Sequence, residues 1–371
     1  MVLCLGACDQ KRAIEPSGKP IKVGIIAPFS GPVLAYGEEG LKGIRIAMQL
    51  QPNLQNGSRM ELVVADDQND PVLTVKLLNK LVEKDNVSAI ITFSSSKPVL
   101  AMAKVADEYQ TPILAALATH PDITKHNGFI IQLGFDDDFQ GIVAALFVRD
   151  DLMVDKVAVF KNPDSAYSSH LASEFERKFK SMGGEITDSI SLTEETTDIT
   201  DAIKSVHAHN PELIYLPISR VKDVIRVIKE VRELGWEPKI MGSDGLISTM
   251  LAQHQEDLEL VDGMLATDFM AHGMPLTPFG ERARKIYRKQ YQETRTAYAA
   301  LGAEAYAILL DAMDRCSDSA DRECINKQIR STTNFTGIIG NMTIGPNGKT
   351  QRPLCITSIE GGRSKFLFKV Y

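Results

Sequence analysis

Residues 21–50 read IKVGIIAPFSGPVLAYGEEGLKGIRIAMQL and contain the two patterns that decide the fold. Residues 21–27 form a continuous apolar run of strand length, as expected for a strand that is buried on both faces. A loop rich in Gly and Pro follows, and then Leu41, Ile44 and Ala47 recur at the spacing of one helix face. A buried strand followed by an amphipathic helix predicts the first unit of a parallel sheet.

The same alternation continues along the chain. The next predicted strands are residues 61–65, 87–93 and 112–117, and the helices are 38–51, 71–84 and 98–109. The pattern then restarts, with strands at 129–133, 156–160, 213–216, 239–242 and 264–269 and helices at 139–150, 168–182, 198–210 and 221–234. Helices at 278–291 and 299–316 and a hairpin from residue 342 complete the chain. We predict an α/β protein with two doubly wound parallel-sheet lobes, linked by short loops because no Pro/Ser-rich linker separates them.

The charge of the chain argues against a nucleic-acid partner, and its hydropathy argues against a transmembrane helix. Among 371 residues, 41 Lys and Arg are interspersed with 48 Asp and Glu, which gives a net charge of −7. Affinity for nucleic acid rests on clustered Lys and Arg at phosphates, so no nucleic-acid partner is expected. No apolar stretch reaches the roughly 18 residues of a transmembrane helix, so none is predicted.

The N-terminus carries a targeting signal in its sequence. The run LGAC at residues 5–8 ends a short apolar segment and precedes polar residues. It resembles the lipobox of bacterial lipoproteins, whose cysteine is lipidated and begins the mature chain, so we predict lipidation of Cys8. Residues 1–20 would then be a signal remnant and flexible lead. The positively charged leader is missing, which fits a true start upstream of Met1; the alternative is an apolar start with no targeting role.

The remaining cysteines suggest an oxidising compartment. Cys316 and Cys324 are eight residues apart across a polar stretch, a spacing that a disulfide between two helices can close. Cys355 lies in an apolar strand and is expected to be a buried thiol. No cysteine pair has zinc-ligand spacing together with histidines, so no metal site is predicted.

Motifs for catalysis and for nucleotide binding are missing from the sequence. The first loop, APFSGP at residues 27–32, is not G-x-G-x-x-G, and its prolines lack amide hydrogens for a pyrophosphate. Neither a P-loop, nor G-x-S-x-G, nor H-E-x-x-H occurs. The acidic runs at 66–67 and 136–138 fall in loops, where helix capping and solvation explain them. We predict neither enzymatic activity nor a cofactor.

Polar residues follow the strands of the first predicted lobe, where ligands of parallel sheets bind. Residues 94–96, Ser-Ser-Ser, precede a helix whose free amides favour an anion such as a carboxylate. Plain N-capping by one of these serines is the alternative. Thr119 follows the next strand, and Tyr36 precedes the first helix. This lobe therefore offers neutral donors for an anion.

The second predicted lobe offers an acid and aromatic surface at the equivalent loops. Tyr167 and Ser219 follow two of its strands, and Asp244 follows a third. An acid opposite a set of neutral donors matches a zwitterion with an apolar side chain.

Several of these loops together resemble one known family. The stretches PFSGP (28–32), AYG (35–37), SSS (94–96), ATHP (118–121) and MGSDG (241–245) resemble, in this order, branched-chain amino-acid (Leu/Ile/Val) binding proteins of ABC transporters. The resemblance implies a type I periplasmic-binding fold with three hinge crossings and a ligand that is buried on closure. It places lobe 1 at 21–135 plus 270–335 and lobe 2 at 136–269 plus 340–371.

The resemblance also implies ligand contacts. Family members bind a carboxylate at positions that match Ser94, the backbone of Leu117 and Thr119, and an amino group through an acid that matches Asp244. Aromatic residues that close over the ligand match Tyr36 and Tyr167. We add the neighbouring hydroxyls of Ser95 and Ser219 to this predicted binding set.

The sequence departs from the leucine-binding members near the ligand. Residues 218–220 read Ile-Ser-Arg where those members have small or aromatic residues, and Lys97 adds a charge beside the carboxylate site. An amino acid, a larger amine-bearing acid and an aromatic carboxylate therefore remain alternatives as ligands.

The function predicted from the sequence is an extracytoplasmic solute-binding lipoprotein. It would be a monomer in the periplasm or on the outer face of the cytoplasmic membrane, held there by a lipid anchor, and would deliver a small molecule to ABC permease subunits. The alternative is a ligand-sensing module of the same fold that serves a signalling partner. An oxidoreductase would need a phosphate-binding loop that this sequence lacks.

Overall fold

The computed structural model describes residues 18–125, 128–193, 195–291 and 297–371. The predicted lipidation site Cys8 lies outside the described residues, as does most of the predicted flexible lead. Among the helices of the described ranges, none combines the length and the apolar character needed to cross a membrane.

Five parallel strands form the first sheet. They are β1 (Ile21–Ala27), β2 (Met60–Asp66), β3 (Ala89–Thr92), β4 (Ile113–Ala115) and β5 (Ile130–Gln132), in the spatial order β2-β1-β3-β4-β5. The helices between them are α1 (Leu34–Leu50), α2 (Pro71–Asn79), α3 (Ser96–Ala103) and α4 (Ala106–Tyr109). Strands β3, β4 and β5 are buried throughout, as their continuous apolar runs predict.

A second set of strands and helices follows. Its helices are α5 (Asp137–Leu146), α6 (Ala166–Ser181), α7 (Thr200–Ala208), α8 (Val221–Glu233) and α9 (Leu246–Gln253). Its strands are β6 (Lys156–Lys161), β7 (Glu185–Ser191), β8 (Leu213–Leu216), β9 (Lys239–Gly242) and β10 (Leu265–Asp268).

The last part of the chain adds further helices, a separate three-stranded antiparallel sheet and a final hairpin. It contains α10 (Pro278–Tyr291), α11 (Ala297–Asp314), α12 (Arg322–Arg330), β11 (Phe335–Thr336), β12 (Asn341–Ile344), β13 (Thr350–Gln351), β14 (Leu354–Glu360) and β15 (Arg363–Val370). The hairpin β14–β15 joins the second sheet in antiparallel fashion, which gives the order β15-β14-β10-β9-β8-β6-β7. The predicted α/β architecture with two doubly wound lobes is thus confirmed.

The chain crosses between the two lobes three times, the third time from the small sheet β11-β12-β13, which contacts the end of β5 through a bridge between Gln132 and Lys349. The passages lie between β5 and α5, between β10 and α10, and between β13 and β14. Helix α5 packs on α6 beside the second sheet, whereas α11 packs on α1 beside the first. The boundaries of the lobes, 21–135 plus 270–335 and 136–269 plus 340–371, remain a prediction.

Helices α1 and α11 approach so closely that glycine is needed at their contact. A Cβ atom on Gly43 would lie 1.9 Å from the carbonyl oxygen of Ala299, and one on Gly302 would lie 2.1 Å from that of Gly40. This packing fixes the start of α11, which carries Tyr298, against the first lobe. At the other end of α11, Cys316 and Cys324 form a disulfide with an S–S distance of 2.05 Å.

Candidate functional site

A cleft of about 290 Å³ lies between the two sheets, at the carboxyl ends of their parallel strands. The first lobe supplies Tyr36, Ser95, Ser96, Leu117 and Thr119 to its lining, and the second supplies Tyr167, Ser219 and Asp244. Seven of the eight residues predicted to bind a ligand therefore meet in one cleft. Their roles toward a ligand remain predictions.

Ser94, the eighth predicted residue, is not among the residues that line the cleft. It is fully buried, and its hydroxyl bonds the carboxylate of Asp67 and lies 2.9 Å from the hydroxyl of Thr92. One residue later, the amide of Ser95 donates to Asn69 Oδ1 at 2.9 Å. These bonds hold the loop after β3 against the loop after β2, so that α3 begins in the cleft.

The start of α3 and the loop after β4 make the first-lobe wall suited to an anion. The first amides of a helix have no partner within the helix, and the macrodipole favours negative charge at that end. Ser96 opens α3 and lines the cleft, and its hydroxyl accepts the amide of His120 at 3.3 Å. Thr119 stands beside it, with only 1% of its surface exposed. A carboxylate placed here would meet amide and hydroxyl donors.

Asp244 supplies the opposite wall with a buried carboxylate. Only 8% of its surface is exposed. Its Oδ1 atom accepts a hydrogen bond from the Tyr167 hydroxyl at 2.6 Å and another from Gln140 Nε2 at 2.8 Å. Burial raises the pKa of Asp244 to about 6, although these two hydrogen bonds act to lower it. Since no cation among the described residues is paired with it, this carboxylate is suited to a ligand's ammonium group.

Aromatic rings enclose the space between these walls. The rings of Tyr36 and Tyr298 meet edge to face, with centroids 5.1 Å apart. The Tyr298 hydroxyl donates to the carbonyl oxygen of Gly245 at 2.6 Å, and so joins α11 of the first lobe to the Asp244 loop of the second. Burial, followed by the charge of Asp244, raises the pKa of Tyr36 to about 12. These neutral rings provide an apolar surface for a ligand side chain.

Tyr298 and Gln140 are among the residues of this site that the sequence did not predict. Tyr298 directly precedes the predicted helix 299–316 and is distant in sequence from every other cleft residue. Gln140 is on α5 and donates a hydrogen bond to Asp244, which is 104 residues later in the chain. Neither follows a strand, so the strand-end rule gave no signal for them.

Two cationic side chains, Lys97 and Arg220, also line the cleft. Arg220 directly precedes α8 and forms an ion pair at 2.6 Å with Asp223, on the first turn of that helix. Lys97 is exposed.

A second buried acid, Asp268, is expected to make the stability of the ligand-free protein depend on pH. Burial, and then the charge of Asp244, raises the pKa of Asp268 to about 8. An unfolded Asp titrates near 3.9, so between pH 6 and 8 the folded chain keeps a proton that the unfolded chain has lost. The stability of the ligand-free protein should therefore fall as the pH rises through this range.

The variant Asp268→Asn should flatten this pH dependence by up to about 1.4 kcal/mol per pH unit. Urea unfolding at both ends of the range measures the effect. Asp201→Asn is the matched control, since Asp201 is fully exposed and should leave the slope as it is. Equal slopes for the wild type and Asp268→Asn would contradict the assignment.

A family model described as "Periplasmic binding protein" matches residues 20–363 of the chain. Among curated proteins, the chain is 26% identical over 254 residues to an amino acid binding protein of Pseudomonas aeruginosa, which covers 67% of this chain and 66% of that protein. It is 24% identical over 363 residues to the Leu/Ile/Val-binding protein BraC3 of Rhizobium johnstonii, with 92% of each covered.

Solved structures show the same similarity in three dimensions. A leucine binding protein LivK from Thermotoga maritima superposes with a TM-score of 0.87 and 28% identity, over 94% of this chain and 98% of that one. A solute binding protein of an ABC transporter from Rhodopseudomonas palustris, in complex with 3,4-dihydroxy benzoic acid, has a TM-score of 0.81 at 18% identity, over 95% and 97%. The second likeness concerns the fold alone.

Proposed function

This chain belongs to the periplasmic binding protein family, whose members bind solutes and are not enzymes, and on that premise we propose that it captures a free amino acid for an ABC import system. Relatives and structural neighbours named as binding proteins for leucine, isoleucine and valine support the proposal. The charge pattern of the cleft favours ligands that carry both an ammonium group and a carboxylate.

The single observation that carries this proposal is the placement of Asp244. Its buried carboxylate has two neutral donors and, among the residues that the structure describes, no paired cation, and it faces a helix start and a hydroxyl across the cleft. A benzoate has no ammonium group, so on binding it would bring a second negative charge into the same buried space. An amino acid pairs with Asp244 and fills the anion site at the same time.

Closure of the lobes is the mechanism that follows from these contacts. A ligand that touches the start of α3 on one lobe and Asp244 on the other is bound by both lobes only when they are together. Its affinity for the closed state therefore exceeds its affinity for the open state, and binding shifts the population toward closure. The hydrogen bond between the Tyr298 hydroxyl and the carbonyl oxygen of Gly245 joins the two lobes at the cleft.

The remaining parts of the proposal concern location and partners. Lipidation at Cys8 would hold the protein at the membrane, near the permease subunits that receive the ligand. Multiple acyl chains would be needed, because one chain gives only marginal anchoring. Service as a sensing module for a signalling partner is the alternative, and it uses the same cleft and the same closure.

A thermal-shift screen tests the proposed ligand class. A ligand at about a thousandfold excess over its Kd stabilises a protein by about 4 kcal/mol, so a true ligand should raise the melting temperature by several degrees. We expect one or more apolar amino acids to do so, and the N-acetyl derivative of each to have no effect. A response to benzoates without any response to amino acids would contradict the proposal.

A further inference from the structure

Two asparagines, one from each lobe, line the cleft with side-chain NH2 groups that are left to donate to a ligand. Asn69 is in the loop after β2, and Asn162 directly follows β6. The side-chain oxygen of Asn69 accepts the amide of Ser95 at 2.9 Å, and that of Asn162 accepts the amide of Asp164 at 2.9 Å. Because a backbone amide fixes each oxygen in this way, the NH2 group of each asparagine is the part available to a ligand.

Lys97 is a third donor in the lining, and the local structure does not explain its position. It lies in the first turn of α3, where the helix macrodipole disfavours a cation. Its side chain is exposed, lines the cleft and forms no ion pair with another described residue. Arg220, the other cation of the lining, is paired with Asp223 at 2.6 Å. Lys97 therefore brings an unpaired positive charge to the cleft.

Little else in the lining would oppose a negatively charged ligand group beside Lys97. Of the two acids among the described lining residues, Asp244 is matched to the ligand's ammonium group, and Asp164 is exposed and forms no ion pair with Lys97. The branched aliphatic residues of this lining are Val33 and Leu117. An apolar ligand side chain leaves the lysine and the two asparagines without an acceptor, whereas a carboxylate accepts from all three.

We propose that the amino acid captured by this protein carries a second carboxylate on its side chain, and that Lys97 selects for it. This inference rests on the proposed function and narrows its ligand class. The charges then pair one to one: the ammonium group with Asp244, the main-chain carboxylate with the start of α3 and Thr119, and the side-chain carboxylate with Lys97. The methylene groups of such a side chain pack on the tyrosine rings. Apolar amino acids keep the first two contacts and bind more weakly.

Calorimetry with matched pairs of amino acids tests this inference. The probes are L-glutamate with L-glutamine and L-aspartate with L-asparagine, because the two members of each pair have nearly the same size and differ in side-chain charge. In at least one pair, we expect the acid to bind about tenfold more tightly than its amide, since a hydrogen bond between two charged groups is stronger than one to a neutral group.

The variant Lys97→Met distinguishes selection of the side chain from a general attraction of anions. Methionine keeps an unbranched stem and removes the charge. The variant should lose the preference for the acid over its amide, while its affinity for the amide and for apolar amino acids changes by less than about twofold. Lys97→Glu should reverse the preference. Lys222→Met is the matched control, because Lys222 is an exposed lysine in the first turn of α8 that does not line the cleft.

Three outcomes would overturn the inference: equal or tighter binding of the amide in both pairs, a preference for the acid that persists in Lys97→Met, or a loss of affinity in Lys97→Met that is equal for acidic and apolar amino acids. In the third case, Lys97 would bind the main-chain carboxylate that every amino acid carries. The proposed function is judged separately, because it fails only if no amino acid binds, whereas the inference fails while apolar amino acids still bind.

Discussion

Replacement of Asp244 by alanine is expected to abolish amino-acid binding while the ligand-free protein stays folded. The ligand's ammonium group would be buried opposite a wall that no longer carries a negative charge. Removal of one partner from a buried ion pair costs about 3–5 kcal/mol, which corresponds to a loss of affinity of more than about a hundredfold. Calorimetry with the amino acid that the thermal-shift screen selects measures this loss.

The ligand-free protein should tolerate this change because no cation within the described ranges is paired with Asp244. Burial already raises its pKa to about 6, so the ionised carboxylate is a cost to the folded state. Asp244→Asn keeps an oxygen for the Tyr167 hydroxyl and should lose binding as alanine does. Asp164→Ala is the control, since Asp164 lines the same cleft but is exposed. Affinity that survives in Asp244→Asn would remove the amino-acid proposal.

The variant Glu304→Ala should destabilise the protein by about 3–5 kcal/mol, because it leaves a buried guanidinium without its counterion. Glu304 Oε2 on α11 lies 3.0 Å from Arg352 Nη1, and both side chains are at most 2% exposed. The other oxygen of Glu304 accepts the amide of Ile338 at 2.6 Å. Urea unfolding followed by circular dichroism measures the change.

Arg352 gives this ion pair its importance, because it contacts all three passages between the lobes. It lies in the third passage, donates to the carbonyl oxygen of Leu133 in the first at 3.2 Å, and stands 5.5 Å from the ring centroid of Phe269 in the second. The exposed pair Glu281–Arg284 provides the control, and Glu281→Ala should change stability by less than about 1 kcal/mol. An equally small effect of Glu304→Ala would show that the hinge does not depend on this ion pair.

The fold could be predicted from the sequence because its strands are buried on both faces. An apolar run of strand length such as residues 21–27, when an amphipathic helix follows it, indicates a buried strand of a parallel sheet. Strand β7 was missed, since it is an edge strand, EITDSIS, in which no residue is fully buried. Helix α9 was missed as well, because its eight residues are too few to show a helical period.

The sequence predicted mainly those site residues that lie in the loops directly after strands. Asp244 and Thr119 come directly after strands, and the cleft contains both. The sequence alone could not show which of the three adjacent serines lines the cleft. Ser94 bonds the carboxylate of Asp67, which is 27 residues earlier in the chain. Tyr298 reaches the cleft through the packing of α11 on α1, which local sequence does not encode.

A crystal structure of the full chain with the amino acid selected by the screen tests the central claim most directly. We predict that the ligand's nitrogen lies within hydrogen-bond distance of Asp244 and that its carboxylate meets the start of α3 and Thr119, with both lobes in contact with one molecule. A ligand held by a single lobe, or with its carboxylate toward Asp244, would contradict the claim.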